Sequence, residues 1–133
     1  MQAVPWYGIL ETGHVAMDVD HRKLVDLFNL LGDSIKDCKG KDFCDSVLDN
    51  IIQDAKASFV LEETLMAKHH YPKADEPMAE HAAMIERALN YRISPDVNSA
   101  GAYMGLVHFA EVWLCYHILF FDKELAGFLG RIS

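Results

Sequence analysis

The chain has 133 residues, the length of one domain, and 51% of them are hydrophobic, enough for a sizeable core and too many for a disordered segment. A formal charge of −8, with scattered lysines and arginines, argues against nucleic-acid binding through a basic surface and offers no polybasic run to an anionic membrane.

Residues 1–17 show no helical period. Pro5, Gly8 and Gly13 interrupt them, and they read as an extended arm whose Trp6, Tyr7, Ile9 and Leu10 pack on a core. The first residues lack the charged n-region and apolar h-region of a signal peptide. The longest near-apolar run, Val112 to Phe121, is about half of the ~20 residues a spanning helix needs. The expectation is a soluble, cytoplasmic protein with no membrane partner.

A first helix is expected from Asp18, a good N-cap type, with Leu24, Val25, Phe28, Leu31 and Ile35 as its apolar stripe and His21 at the matching phase. Asp37 to Lys41 reads as a turn around Gly40. The second helix is expected from Asp42 to about His69, its inner face running from Val47 through Ser58, Phe59 and Glu62 to Leu65 and Met66. Tyr71-Pro72 ends it, because a residue before proline is pushed out of the helical region. Asp75 caps the third helix, which tolerates Pro77 in its first turn and presents His81, Met84, Ile85 and Ala88. Ser94-Pro95-Asp96 opens the fourth, with Leu106, Ala110, Trp113, Leu114, His117 and Phe121 inward. Lys123 to Arg131 adds a last helical turn or two. No strand-like alternation and no tandem repeat interrupts this pattern. The expected fold is all-α: one domain over 1–133, with an arm at 1–17, an antiparallel up-down-up-down four-helix bundle at 18–122 and a C-terminal tail at 123–133. The three cysteines read as reduced thiols, since Cys38 and Cys44 flank the turn without a redox motif and Cys115 falls in the last helix.

The chemistry concentrates on the inner faces. His117 and Asp122 lie in the otherwise apolar and aromatic run Trp113-Leu114-Cys115-Tyr116-His117-Ile118-Leu119-Phe120-Phe121-Asp122. His21, Glu62 and His81 fall on the apolar faces of the other helices. Burying such groups costs roughly several kcal/mol unless each is paired or bound to a metal. Three histidines and two carboxylates aimed into one core point to a metal site inside a bundle. Blander readings exist for each: His21 exposed near a helix start, His81 paired with Glu80 or Asp75. Glu62 has no obvious cationic partner. Glu63 reads as a solvated surface acid, and Glu63, Glu76 and Asp54 lie at flanking phases, poorly placed as extra ligands. His14, His69, His70 and His108 are set aside. Met66, Met78, Met84 and Met104 read as core packing, and Tyr103 and Tyr116 flank the core face of the fourth helix. Five residues from His117 to Asp122 turn about 140° beyond one full turn. The pair therefore needs a locally widened helix or a site approached from two sides. No nucleophile–base pair is visible, so binding rather than catalysis is expected.

Taken in order and spacing, the Trp6 arm, Asp18-Val19-Asp20-His21, Phe59-Val60-Leu61-Glu62-Glu63 with Met66, Tyr71-Pro72, His81, and Trp113-Leu114-x-x-His117-Ile118-x-x-x-Asp122 resemble the bacterial single-domain hemerythrins. The resemblance implies a four-helix bundle that holds two non-heme irons and binds dioxygen for storage, delivery or sensing. It implies His21, Glu62, His81, His117 and Asp122 as iron ligands, with Glu62 and Asp122 bridging, and Phe59, Trp113, Leu114 and Ile118 as the oxygen pocket. Two of the family's histidine positions are replaced: Ser58 stands four residues before Glu62, and Pro77 four before His81. Residues four apart share a helix face, so both losses face the centre. On this reading one iron keeps His81 and His117, close to the two-histidine, one-carboxylate set that holds non-heme iron, and the second keeps only His21. Two irons are expected and one is possible. The alternative is a mononuclear or metal-free sensory or interaction module, and a third reading is an oxidase or peroxidase-like activity at the open coordination positions. Against a purely structural bundle stands the retention of both bridging acids, which leucine would replace with profit.

Overall fold

Short connections decide the topology of this chain. In the computed structural model, which describes residues 10–93 and 100–132, the elements are α1 (Val15–Lys36), α2 (Lys41–Lys68), α3 (Asp75–Ile93), α4 (Ala100–His117), a π-helical turn (Ile118–Asp122) and α5 (Lys123–Ile132). No strand occurs among the described residues. Residues 37–40 join α1 to α2 and residues 69–74 join α2 to α3, too few to do anything but reverse direction. Helix α1 packs on α2 and α4, and α3 packs on α2 and α4, so the four form a ring in chain order. This is the all-α four-helix bundle expected from the hydrophobic pattern.

Two boundaries differ from the expectation. Helix α1 begins at Val15, three residues early, with His14 as its N-cap: Nδ1 accepts from the Met17 N–H at 3.3 Å. Asp18 sits inside the first turn and reaches back instead. Its carboxylate accepts from the Thr12 N–H (2.8 Å), the Thr12 hydroxyl (2.8 Å) and the Gly13 N–H (3.1 Å), pinning the preceding segment to the helix. Leu10 is buried in the core as expected; Trp6, Tyr7, Ile9 and the Ser94-Pro95-Asp96 opening lie outside the described residues. At the other end, Lys123–Ile132 is not a loose tail. It continues the fourth rod as a helix, with Leu125, Phe128 and Leu129 on one face against Met17, Met66 and Tyr71. By length and composition alone, Met104–Ile132 is apolar enough to cross a membrane, longer than the run visible by eye.

The core falls into two parts. The larger joins Leu24, Phe28, Leu48, Ile51, Leu106 and Ala110 with their neighbours on all four helices. The smaller is the cluster around Met17, Met66 and Leu125. In sequence the histidines and acids lie between them: His21 between Met17 and Leu24, Glu62 between Phe59 and Met66, Asp122 between Ile118 and Leu125. Met84 and Met66 are buried as expected, whereas Met78 is 42% exposed and Met104 half-buried. The cysteines are free.

Helices α1 and α2 end alike. The Lys39 N–H donates to Ser34 O (3.0 Å) and the Cys38 N–H to Ile35 O (3.2 Å); the Tyr71 N–H donates to Met66 O (2.9 Å) and the His70 N–H to Ala67 O (3.3 Å). Both are Schellman closures with a side-chain-bearing residue at the left-handed position, Cys38 and His70, each at φ 54°. A left-handed residue with a Cβ costs roughly 1–2 kcal/mol, and glycine's extra unfolded freedom returns about half of that. His70→Gly should therefore raise stability by about 0.5–1 kcal/mol in urea titrations monitored by far-UV circular dichroism, with the buried site untouched.

Candidate metal centre

Each helix of the ring contributes to one buried cluster. His21 comes from α1, Glu62 from α2, His81 from α3 and His117 from the end of α4, and all are 1–2% exposed. Asp122, at the close of the π-helical turn, is equally buried. The turn supplies the widened helix that the five-residue step demands: the Lys123 N–H bonds to Ile118 O, five residues back, instead of four. His117 Nε2 and Asp122 Oδ1 then lie 3.2 Å apart.

The contacts divide into two poles. At one, Glu62 Oε1 lies 2.9 Å from His81 Nε2 and 3.4 Å from His117 Nε2, and the two imidazole Nε2 atoms face each other at 2.9 Å. At the other, His21 Nε2 lies 3.3 Å from Glu62 Oε2 and 2.8 Å from Asp122 Oδ2. Glu62 and Asp122 thus each direct one oxygen to the paired imidazoles and the other to His21. Donor atoms of Glu62, His81, His117 and Asp122 all fall within 4.8 Å of one another, close enough to hold one metal ion.

The residue types fit a metal of the imidazole–carboxylate class. Three imidazole nitrogens and two carboxylates converge, and at most one proton fits between the facing Nε2 atoms. Asp122 Oδ2 is buried with His21 Nε2 at 2.8 Å and no other partner among the described residues, so it retains acceptor capacity inside the cluster. Burial alone would depress the basicity of His21 and His117, but the adjoining Asp122 and Glu62 carboxylates outweigh it and push both to about 9. Burial would raise the Glu62 carboxyl, yet contacts with His117, His21 and His81 hold it well below the ordinary range. Without a metal, then, the cluster is a buried set of ion pairs.

Aromatic rings fix the imidazoles. Phe59 stacks on His81 (4.0 Å between centroids, 6° between planes), and Trp113 stacks on His117 (4.6 Å, 9°). Leu114 and Ile118 are buried alongside. Of the two positions without a histidine, Ser58 is 1% exposed and its hydroxyl donates to Glu62 Oε2 at 3.4 Å. Pro77 is buried in the first turn of α3, where its missing N–H leaves no helical bond unmade.

Two expectations about acids change. Glu62 has three imidazole partners, supplied by other helices and therefore invisible along its own sequence. Glu63 is not a solvated surface acid: its Oε2 lies 2.8 Å from His81 Nδ1. The signal for it was only its adjacency to Glu62. His81 pairs with Glu62 and Glu63 rather than with Glu80 or Asp75. His14 and His69 line a separate pocket beside Leu65 and Leu129, and His108 is exposed. Tyr116 is 49% exposed and lies tilted against Phe120.

Fold and site together define a four-helix bundle carrying a buried imidazole–carboxylate cluster that can hold a metal. No family model matches the chain. Two curated relatives do. The chain is 29% identical to the bacteriohemerythrin of Pseudomonas paraeruginosa over 136 residues, covering 99% of this chain and 83% of the relative. It is 27% identical to the bacteriohemerythrin of Clostridium acetobutylicum over 123 residues, covering 90% and 95%. Over nearly its whole length, then, the chain is similar to bacteriohemerythrins.

The elevated basicity of His21 and His117 sets the pH dependence of the metal-free protein. Both are raised in the folded state, so their ion pairs stabilise fully below pH 6.5, the unfolded value, and the stabilisation is lost as pH rises through about 9. The melting temperature of the metal-free chain should therefore fall steadily between pH 6.5 and 9 in calorimetric scans. His117→Gln should flatten that fall.

Proposed function

We propose that this chain is a non-heme iron protein of the hemerythrin kind that binds dioxygen or a similar small ligand, for storage, delivery or sensing, in the cytoplasm. Residues 1–133 act as one domain. The observation that carries the reading is the division of each buried carboxylate, one oxygen toward His81 and His117 and the other toward His21. That is the arrangement two bridged cations need. His81 and His117 would hold one iron, His21 the second, and Glu62 and Asp122 would bridge them. When bound, iron supplies the redox chemistry and open coordination on which oxygen binding rests. The chain supplies the rest: Phe59 and Trp113 hold the imidazole planes, and with Leu114 and Ile118 they exclude water from the cluster.

A mononuclear reading has its own support. The group that fits around a single ion comprises Glu62, His81, His117 and Asp122 and leaves out His21. One imidazole with two shared carboxylates is a poorer site than two imidazoles with the same acids.

Elemental analysis after anaerobic loading with ferrous ion, and removal of the excess, separates these outcomes. About two irons per chain supports the bridged pair, about one supports the mononuclear site, and none overturns the iron reading and leaves a metal-free interaction module. Because Ser58 and Pro77 are the positions without an imidazole, the Ser58→His, Pro77→His double variant should raise occupancy and slow iron loss to a chelator. Unchanged occupancy in that variant counts against a weakened two-iron centre.

A further inference from the structure

The three cluster histidines are not equally held. His21 and His117 have buried Nδ1 atoms with no hydrogen-bond partner among the described residues. His81 differs, because Glu63 Oε2 lies 2.8 Å from its Nδ1 while its Nε2 faces Glu62 and His117. The two contacts sit on opposite edges of the ring. Glu63 therefore stands behind His81 and not among the donors at the centre, which removes it as a substitute ligand. Its side chain is about one-third exposed, at the edge of an open groove of about 850 Å³ between α2 and α3, lined by Val60, Met78, Ile85 and Leu89 beside Phe59 and His81.

We propose that Glu63 is a positioning residue for His81: its carboxylate fixes the proton on Nδ1 and turns the Nε2 lone pair into the cluster. An imidazole can bind a metal through Nε2 only when that nitrogen is free of its proton, and the hydrogen bond made by the other nitrogen decides which one that is. A carboxylate behind a ligating histidine also holds the orientation of the ring. Phe59, stacked face-on, restrains tilt, and Glu63 restrains rotation within the ring plane. The pole of His81 and His117 thus carries a support that the His21 pole lacks. It is the pole that loads first, in spite of the imidazole missing at Pro77 on the same helix. This deepens the metal-binding reading and rests on it.

Two measurements test it. In the metal-free chain, proton–nitrogen NMR of the histidine rings should show a downfield His81 Nδ1–H that exchanges slowly with water. Glu63→Ala should abolish that resonance, Glu63→Leu (which keeps the bulk) should do the same, and Glu63→Gln, whose amide oxygen still accepts, should retain it. Anaerobic titration with ferrous ion against a chromophoric chelator should show the first ion bound 10–100-fold more weakly in the Ala and Leu variants, with most of the loss restored by Gln. Melting curves of the variants report whether the fold is intact. A His81 Nδ1–H unchanged in both Ala and Leu variants, or ferrous affinity within twofold of the parent, overturns the role of Glu63. A parent chain that takes up no ferrous ion overturns the metal reading instead, and the resonance still decides whether Glu63 holds the ring.

Discussion

Two carboxylates buried in the middle of a helical bundle dictate most of what surrounds them. An isolated carboxylate moved from water into a protein interior loses far more solvation than any packing returns. Glu62 and Asp122 are tolerable only because three imidazoles converge on them, one each from α1, α3 and α4. The requirement is geometric as well as electrostatic. A slip of one residue along a helix rotates a side chain by about 100°, which would withdraw an imidazole and leave an acid alone in the core. The cluster therefore acts as a register mark for the whole ring. Flanking residues repeat the message: Met17 and Leu24 bracket His21, and Phe59 and Met66 bracket Glu62, so hydrophobic packing and charge pairing select the same alignment.

The π-helical turn is the clearest local consequence of that constraint. An α-helical step of five residues would aim Asp122 well away from His117. The chain widens instead over Ile118–Asp122, a conformation that is rare and concentrated at functional sites. The widening recurs in the packing beyond it. Once the turn has shifted the phase, Leu125 and Leu129 of α5 face Met17, Met66 and Tyr71 and close the end of the bundle. A single helical repeat carried through from α4 would misplace either the acid or these leucines. Asp122 and α5 are thus explained by the same local change.

How far this was legible in the sequence depended on whether the cause was local. Helical periodicity and short turns were enough for the bundle, and polar residues on apolar faces singled out His21, Glu62, His81, His117 and Asp122, all of which meet in the structure. The five-residue step required a widened helix or a second approach, and the chain uses the first. Illegible features were those that depend on a neighbouring helix or on competing caps. Glu63 resembles any acid at the margin of a helix face until α3 brings His81 against it. Asp18 has the composition of an N-cap, but His14 takes that place, leaving Asp18 free to bind Thr12 and Gly13. The terminal helix has too little length to declare itself, and its stability comes from a face completed by α1 and α2.

The replacements at Ser58 and Pro77 change the balance between protons and cations more than they change the fold. Ser58 fills its place with a hydroxyl that donates to Glu62, and Pro77 sits where a helix has no bond to lose, so neither leaves a defect in the metal-free chain. The remaining imidazoles then serve two states. Protonated, His21 and His117 neutralise the buried acids and hold the helices together. Neutral, the same Nε2 atoms can ligate. A cation entering the cluster must expel those protons and take over the neutralisation of Glu62 and Asp122, so its affinity weakens as pH falls. With a full complement of histidines the metal would win that competition by a wide margin. With three, the margin narrows, and most at the His21 pole, where one imidazole without a supporting acid stands against two shared carboxylates. A cation would thus meet two unequal poles, one with paired imidazoles backed by Glu63 and the other with His21 alone, in a cluster whose own protons already neutralise its acids.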